Sequence, residues 1–198
     1  MESKFTNFIQ PLIQVIDKGT FFKEPLVALF IVLGYANLII PLYVLYLSAD
    51  YGVFDASFQL VLVYLIIWLI IAFTAWVGFQ IWYIRRKDVR SIFRNGDDFK
   101  AIPLISLIIQ TVGEWLGAFI GIAGFGCSLV LTILASNNSR IITESIGLPL
   151  VDTGIFPIIV APVSGFLIIL FSRFISEQFR VLTFIANNTR MTSEGNSI

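Results

Sequence analysis

Four uninterrupted apolar stretches, each long enough to cross a lipid bilayer, constrain this chain more than any other feature. A helix needs about 20 mostly apolar residues to span a hydrocarbon core of ~30 Å. Residues 25–47, 58–84, 106–134 and 155–175 each supply that length. A membrane barrel strand would be about 10 residues of strict alternation, and these runs neither stop there nor alternate. Pro25 suits the first turn of the first helix. The expected fold is an all-α, polytopic membrane domain covering 1–198, with four transmembrane helices and amphipathic interfacial helices at both ends. Composition agrees: 57% of residues are apolar and 13% charged, whereas soluble domains average about 45–50% and about 25%.

Basic residues give the helices a direction. The N-terminal segment holds Lys4, Lys18 and Lys23. The second-to-third connection holds Arg85, Arg86, Lys87, Arg90, Arg94 and Lys100, and the C-terminal segment holds Arg173, Arg180 and Arg190. Only Arg140 lies on the other side, so 12 of 13 basic residues share one face of a four-span chain. The positive-inside rule makes that face cytoplasmic and places both termini there. Trp82-Tyr83 before Arg85-Arg86-Lys87 suits an interfacial anchor, as do Tyr43, Tyr46 and Tyr51 at the opposite end.

The residues the chain lacks exclude much chemistry. With no histidine there is no Ser-His-Asp triad and no histidine-ligated metal. The single cysteine, Cys127, permits no intrachain disulfide and reads as a small packing residue. No phosphate-binding glycine loop or nucleophile elbow occurs. No catalytic residue, metal, cofactor or nucleic-acid partner is expected. The first residues lack the basic start, apolar core and cleavage site of a removable signal peptide, so they are expected to remain on the mature chain.

Segments 1–24 and 176–198 read as peripheral. Phe5, Phe8, Ile9, Leu12 and Ile16 recur at helical spacing, with Pro11 starting or kinking the helix. Such a face lies either in the headgroup region or against the ends of the bundle. In the last segment Glu177 sits four residues after Arg173 and three before Arg180, a spacing that lets it pair with both. The fourth helix continued to Ala186 would measure about 48 Å, so its last turns emerge from the core or bend along the surface. The tail 187–198 is polar and expected to be mobile.

The run Arg173-Phe-Ile-Ser-Glu-Gln-Phe-Arg-Val-Leu-Thr-Phe-Ile-Ala-Asn-Asn-Thr189 resembles the end of small bacterial multi-span membrane domains of unknown function. There a final span passes into an Arg–Glu–Arg helix closing on an Ile-Ala-x-Asn-Thr-like phrase. The resemblance implies a protein of the bacterial cytoplasmic membrane and implies no activity.

Several residues look out of place in lipid. The third run, Ala101 to Ala135, would extend about 52 Å as one helix, too long for an untilted span. Gln110, Thr111 and Glu114 interrupt it. Depending on where the span begins, Glu114 lies near the midplane or beside Trp115 at the interface; an intermediate depth is expected. An intramembrane carboxylate is a functional candidate by default, and the alternative is an ion pair with a loop arginine. Gly113, Gly117, Gly121, Gly124 and Ser128 recur every three or four residues and form a helix-packing ridge. Ala161 and Gly165 are a smaller patch that can meet it, although a ridge also fits a partner in another chain. Asn37 falls mid-span, four residues before Pro41, which cannot donate to the Asn37 carbonyl. That pair is either a ligand cluster or a kink bonded to a neighbouring helix. Pro157 and Pro162 invite the same two readings. On the outer side, Ser139 can cap a short helix ending at Gly147, and Asn137-Asn138-Ser139 is a formal glycosylation sequon.

The expectation is thus a non-enzymatic membrane protein, a subunit or scaffold packed through its glycine ridge with other membrane subunits or itself. The alternative is an oligomeric channel or transporter using Glu114 and Asn37. A lipid-modifying enzyme has only scattered carboxylates behind it.

Overall fold

The computed structural model describes residues 23–94, 101–134, 142–143 and 153–195. The amphipathic segment over 1–22 and the sequon lie outside these residues. Of the expected Ser139–Gly147 helix only Ile142 and Thr143 are described, and both are helical. The described residues contain no strand; they form four long helices, each apolar and long enough to cross a membrane. The chain is a polytopic, all-α integral membrane protein. α1 is Lys23–Asp50, α2 is Phe58–Arg94, α3 is Ala101–Leu134 and α4 is Ile155–Gly195.

Each helix outruns its apolar stretch at the basic end. Residues 85–94, read from sequence as loop, continue α2, because nothing from Arg85 to Arg94 breaks a helix. α4 is 41 residues long, roughly 60 Å, so the tail expected from Asn187 is helical as far as Gly195. Opposite, α1 and α2 are joined by a tight turn in which Gly52 takes φ +67°, a conformation glycine adopts without strain. A one-turn 3-10 helix, Val53–Asp55, completes that turn. Gly154 N–H donates to Thr132 Oγ1 at 2.8 Å, tying the start of α4 to the end of α3.

The main contacts follow chain order: α1 on α2, α2 on α3, α3 on α4. Two apolar clusters hold α1–α3. At the basic end Val27 and Phe30 meet Trp82, Val89, Leu104 and Leu107, with the Phe30 and Trp82 rings edge to face at 5.1 Å. At the other end Val44 and Val53 meet Tyr64, Ile67, Ile71, Cys127 and Leu131. Burial in lipid brings no hydrophobic drive between helices, so these contacts act through packing. α4 is peripheral: 17% of its apolar stretch is buried, against 33–39% for the other three.

The α3–α4 contact is a seam of small residues. A Cβ added to Gly117 would collide with the Gly165 carbonyl oxygen, one on Gly113 with Ser172, and one on Gly124 would lie 2.7 Å from Ala161 Cβ. The ridge is therefore used within the chain. Gly121 behaves differently: its added Cβ would meet nothing closer than 3.9 Å, on Gly165 and Pro162. It lies in a single wide turn, Ile120–Gly124, where α3 becomes π-helical. Such turns insert an extra residue locally. Beyond it Gly126 faces Ile70 of α2. Ser128, the last ridge position, is buried with its hydroxyl unbonded among the described residues.

Candidate functional site

Inside the spans most hydroxyls turn back on their own helices. Ser48, Thr74, Thr111 and Thr132 each donate to the carbonyl four residues earlier, at 2.7–2.8 Å. That satisfies the group without a partner helix. Two polar arrangements instead cross between helices.

The first surrounds Asn37, which is 4% exposed. Its Nδ2 donates to the Leu33 carbonyl at 2.7 Å, and its Oδ1 accepts from Trp115 Nε1 at 2.6 Å. Gly78 of α2 leaves the room: a Cβ there would sit 2.5 Å from Asn37 Oδ1 and 3.1 Å from Trp115 Cδ1. One turn on, Trp68 Nε1 donates to the Pro41 carbonyl at 2.9 Å. Both side-chain functions of Asn37 are thus occupied, and two tryptophans of neighbouring helices anchor the proline-containing part of α1. Asn37 and the Pro41 carbonyl are each bonded to a neighbouring helix.

The second is a belt of charge centred on Glu114, whose side chain is 12% exposed. Arg85 Nη2 of α2 donates to both carboxylate oxygens at 2.8 Å. From α4, Arg173 donates to Oε1 through Nε at 3.1 Å and Nη2 at 2.8 Å. Gln110, one turn earlier on α3, donates to the same oxygen at 2.9 Å and accepts from Arg180 Nη2 at 2.8 Å. Arg85 Nη1 holds Asp88 at 3.0 Å. The belt ends at Ser106, which shares a 2.7 Å hydroxyl contact with Ser176 and donates to the Ser176 carbonyl at 2.9 Å. Three guanidinium groups and two carboxylates thereby join α2, α3 and α4 at one level. Charge-assisted bonds of this kind are among the stronger ones.

Two expectations change here. Glu114 pairs with arginines on helices, because α2 continues past the point where a loop was expected. Glu177 is exposed on α4, and Arg173 and Arg180 reach across to α3 instead of to it. The i, i+4 spacing of Ser106, Gln110 and Glu114, opposite Arg173, Ser176 and Arg180, is the signal in the sequence that marks this belt. Asp88 and Trp115 carry none beyond position.

Chemically, Glu114 is saturated with donors. Among the described residues no group of three acidic or thiol side chains could hold a metal. Cys127 is fully buried. No family model, curated protein or solved structure matches the chain.

Proposed function

We propose that the protein is a non-enzymatic subunit or scaffold of a membrane assembly. By the positive-inside rule and the resemblance of its Arg173–Thr189 run, it belongs in a bacterial cytoplasmic membrane with both termini inside. The observation that carries the assembly reading is α4 beyond Arg173. Twenty-two further residues, about 33 Å of helix, follow that level as far as Gly195. Along it Val181, Leu182, Phe184 and Ile185 are 52–67% exposed. Apolar side chains facing lipid are ordinary; a cluster of them past the charged belt is the kind of surface that covers itself with a partner. The occupied side chains of Asn37 and Glu114 favour a structural role for both over the channel reading.

The test is mass measured in lipid nanodiscs, with Phe184→Glu as the perturbation. The expected result is an assembly larger than one chain that the substitution releases, the melting temperature of the single chain staying unchanged. A single-chain mass for the wild type at every concentration, purified alone or with its native membrane neighbours, refutes the reading. Ion flux through liposomes that requires Glu114 restores the channel alternative.

A further inference from the structure

Beside Glu114, on the side away from the small-residue seam, an open groove of about 580 Å³ runs along α2. Its walls change character along its length. One end is mostly apolar, formed by Trp76, Val77, Ile81 and Ile84 with the Gln80 amide among them; the other is charged, formed by Arg85, Asp88 and Glu114. Trp76 and Ile84 are 50% and 56% exposed. From Trp76 to Asp88 the helix rises about 18 Å, room for a headgroup, a glycerol backbone and the first part of an acyl chain. The change occurs where the apolar run of α2 gives way to Arg85-Arg86-Lys87, the level of a membrane–water interface. A molecule matching this gradient is amphipathic, with its polar end at the interface and its chain toward the core. The groove thus fits a membrane lipid better than a soluble metabolite.

The charged end also selects a headgroup. Arg85, Asp88 and Glu114 line it, and Arg173 shares Glu114 with Arg85, so the open acceptor there is Asp88. Glu114 already accepts from Arg85, Arg173 and Gln110. Asp88 accepts on its carboxylate from Arg85 through Oδ2, and 47% of its side chain is exposed. A carboxylate has about four acceptor sites, so Asp88 has capacity to spare, and Arg85 keeps donors beyond the two nitrogens used on Glu114 and Asp88. A primary ammonium supplies three N–H donors for Asp88, while the adjoining phosphate can take the remaining Arg85 donors. A quaternary ammonium has no N–H to give. A headgroup whose only charge is its phosphate brings no cation to the half-exposed Asp88 carboxylate.

We propose that this groove binds a phospholipid with a primary-amine headgroup, of the ethanolamine class, its ammonium on Asp88 and its phosphate on Arg85. This goes beyond the assembly reading and does not depend on it.

The test is native mass spectrometry of the full chain, delipidated in mild detergent. It is offered an equimolar mixture of phosphatidylethanolamine, phosphatidylglycerol and phosphatidylcholine with the same acyl chains. Ethanolamine lipid is expected to be retained about tenfold over each competitor, the order of effect of one charge-assisted hydrogen bond. Asp88→Asn keeps the shape, and should bring the three lipids within about twofold of one another with little change in melting temperature, because the Arg85–Asp88 pair is half-exposed and lies within one helix. Ile81→Trp, which fills the apolar end, should lower retention of all three while leaving their ratios unaltered. Preference for phosphatidylglycerol, equal retention by the wild type, or selectivity that survives Asp88→Asn overturns the proposal. So does a groove that retains no lipid because a second copy covers it.

Discussion

Gly117→Ala and Gly121→Ala are indistinguishable by motif, since both glycines belong to the same small-residue ridge, yet the structure separates them. At Gly117 an added methyl collides with the Gly165 carbonyl oxygen and lies 2.5 Å from Ile169 Cγ1. Ordinary carbon contacts begin near 3.5 Å, so the α3–α4 seam must open by roughly an ångström at this point. The Ile169 side chain can rotate aside, but the Gly165 backbone cannot. A gap of that size forfeits about a quarter to a half of each affected contact along the seam. Overpacking typically costs about 1–3 kcal/mol, while replacing glycine inside a helix returns about 0.5–1 kcal/mol. The net expectation for Gly117→Ala is a loss of about 0.5–2 kcal/mol. At Gly121 the added methyl finds nothing nearer than 3.9 Å. Only the helix term remains, and Gly121→Ala should be neutral or stabilising by up to about 1 kcal/mol. Reversible denaturation in bicelles measures both variants in the same medium as the wild type. Equal losses would show that the wide turn does not leave room for a Cβ at Gly121. Equal gains would show that the seam is looser than its contacts.

Other expectations follow from the polar contacts. Glu114→Gln leaves Arg85 and Arg173 without their shared counter-ion and should lower stability by about 1–3 kcal/mol, with the exposed Arg173 arm contributing least; a loss confined to flux, with stability unchanged, would contradict the structural role. Trp115→Phe leaves Asn37 Oδ1 without its cross-helix donor and should cost about 1–2 kcal/mol, and a double-mutant cycle with Asn37→Ala should show that most of this is shared. Tyr64→Phe removes a buried hydroxyl that lies beside Ser48 and should cost at most about 1 kcal/mol; a larger loss would show a stronger bond there than this contact supplies. Ser57 and Ser91 are both exposed, near opposite ends of α2. In intact cells an impermeant thiol reagent should label Ser57→Cys and miss Ser91→Cys, and the reverse pattern would invert the orientation.

The four helices were legible in the sequence because a span announces itself through length and composition alone, with no need of tertiary context. The candidate meeting of the glycine ridge with Ala161 and Gly165 was legible for a similar reason, since small residues at helical spacing mark a close approach. What the sequence withheld is register between helices. Spacing along α4 made Glu177 the natural partner of Arg173 and Arg180. Only the seam, by fixing α4 against α3, brings those arginines to Glu114 and Gln110. Gly78 looked unremarkable because its reason lies on α1, in the space required by Asn37. The wide turn at Ile120–Gly124 was also hidden: glycine and alanine permit it there, and nothing in their order demands it.

The succession of contacts from α1 to α4 bears on how the chain is made. From α2 onward each helix packs against the one synthesised just before it, although the largest contact of α3 waits for α4. The charged belt follows the same order. Glu114 meets Arg85 across 29 residues, and Arg173 arrives 59 residues after Glu114. When α3 enters the bilayer its carboxylate already has a counter-ion on α2. α4 docks last, on a seam and an ion pair that are both in place. The final helix is then the one whose attachment and release leave the rest of the fold assembled, and a chain interrupted before Ile155 should still insert as a charge-compensated three-helix unit.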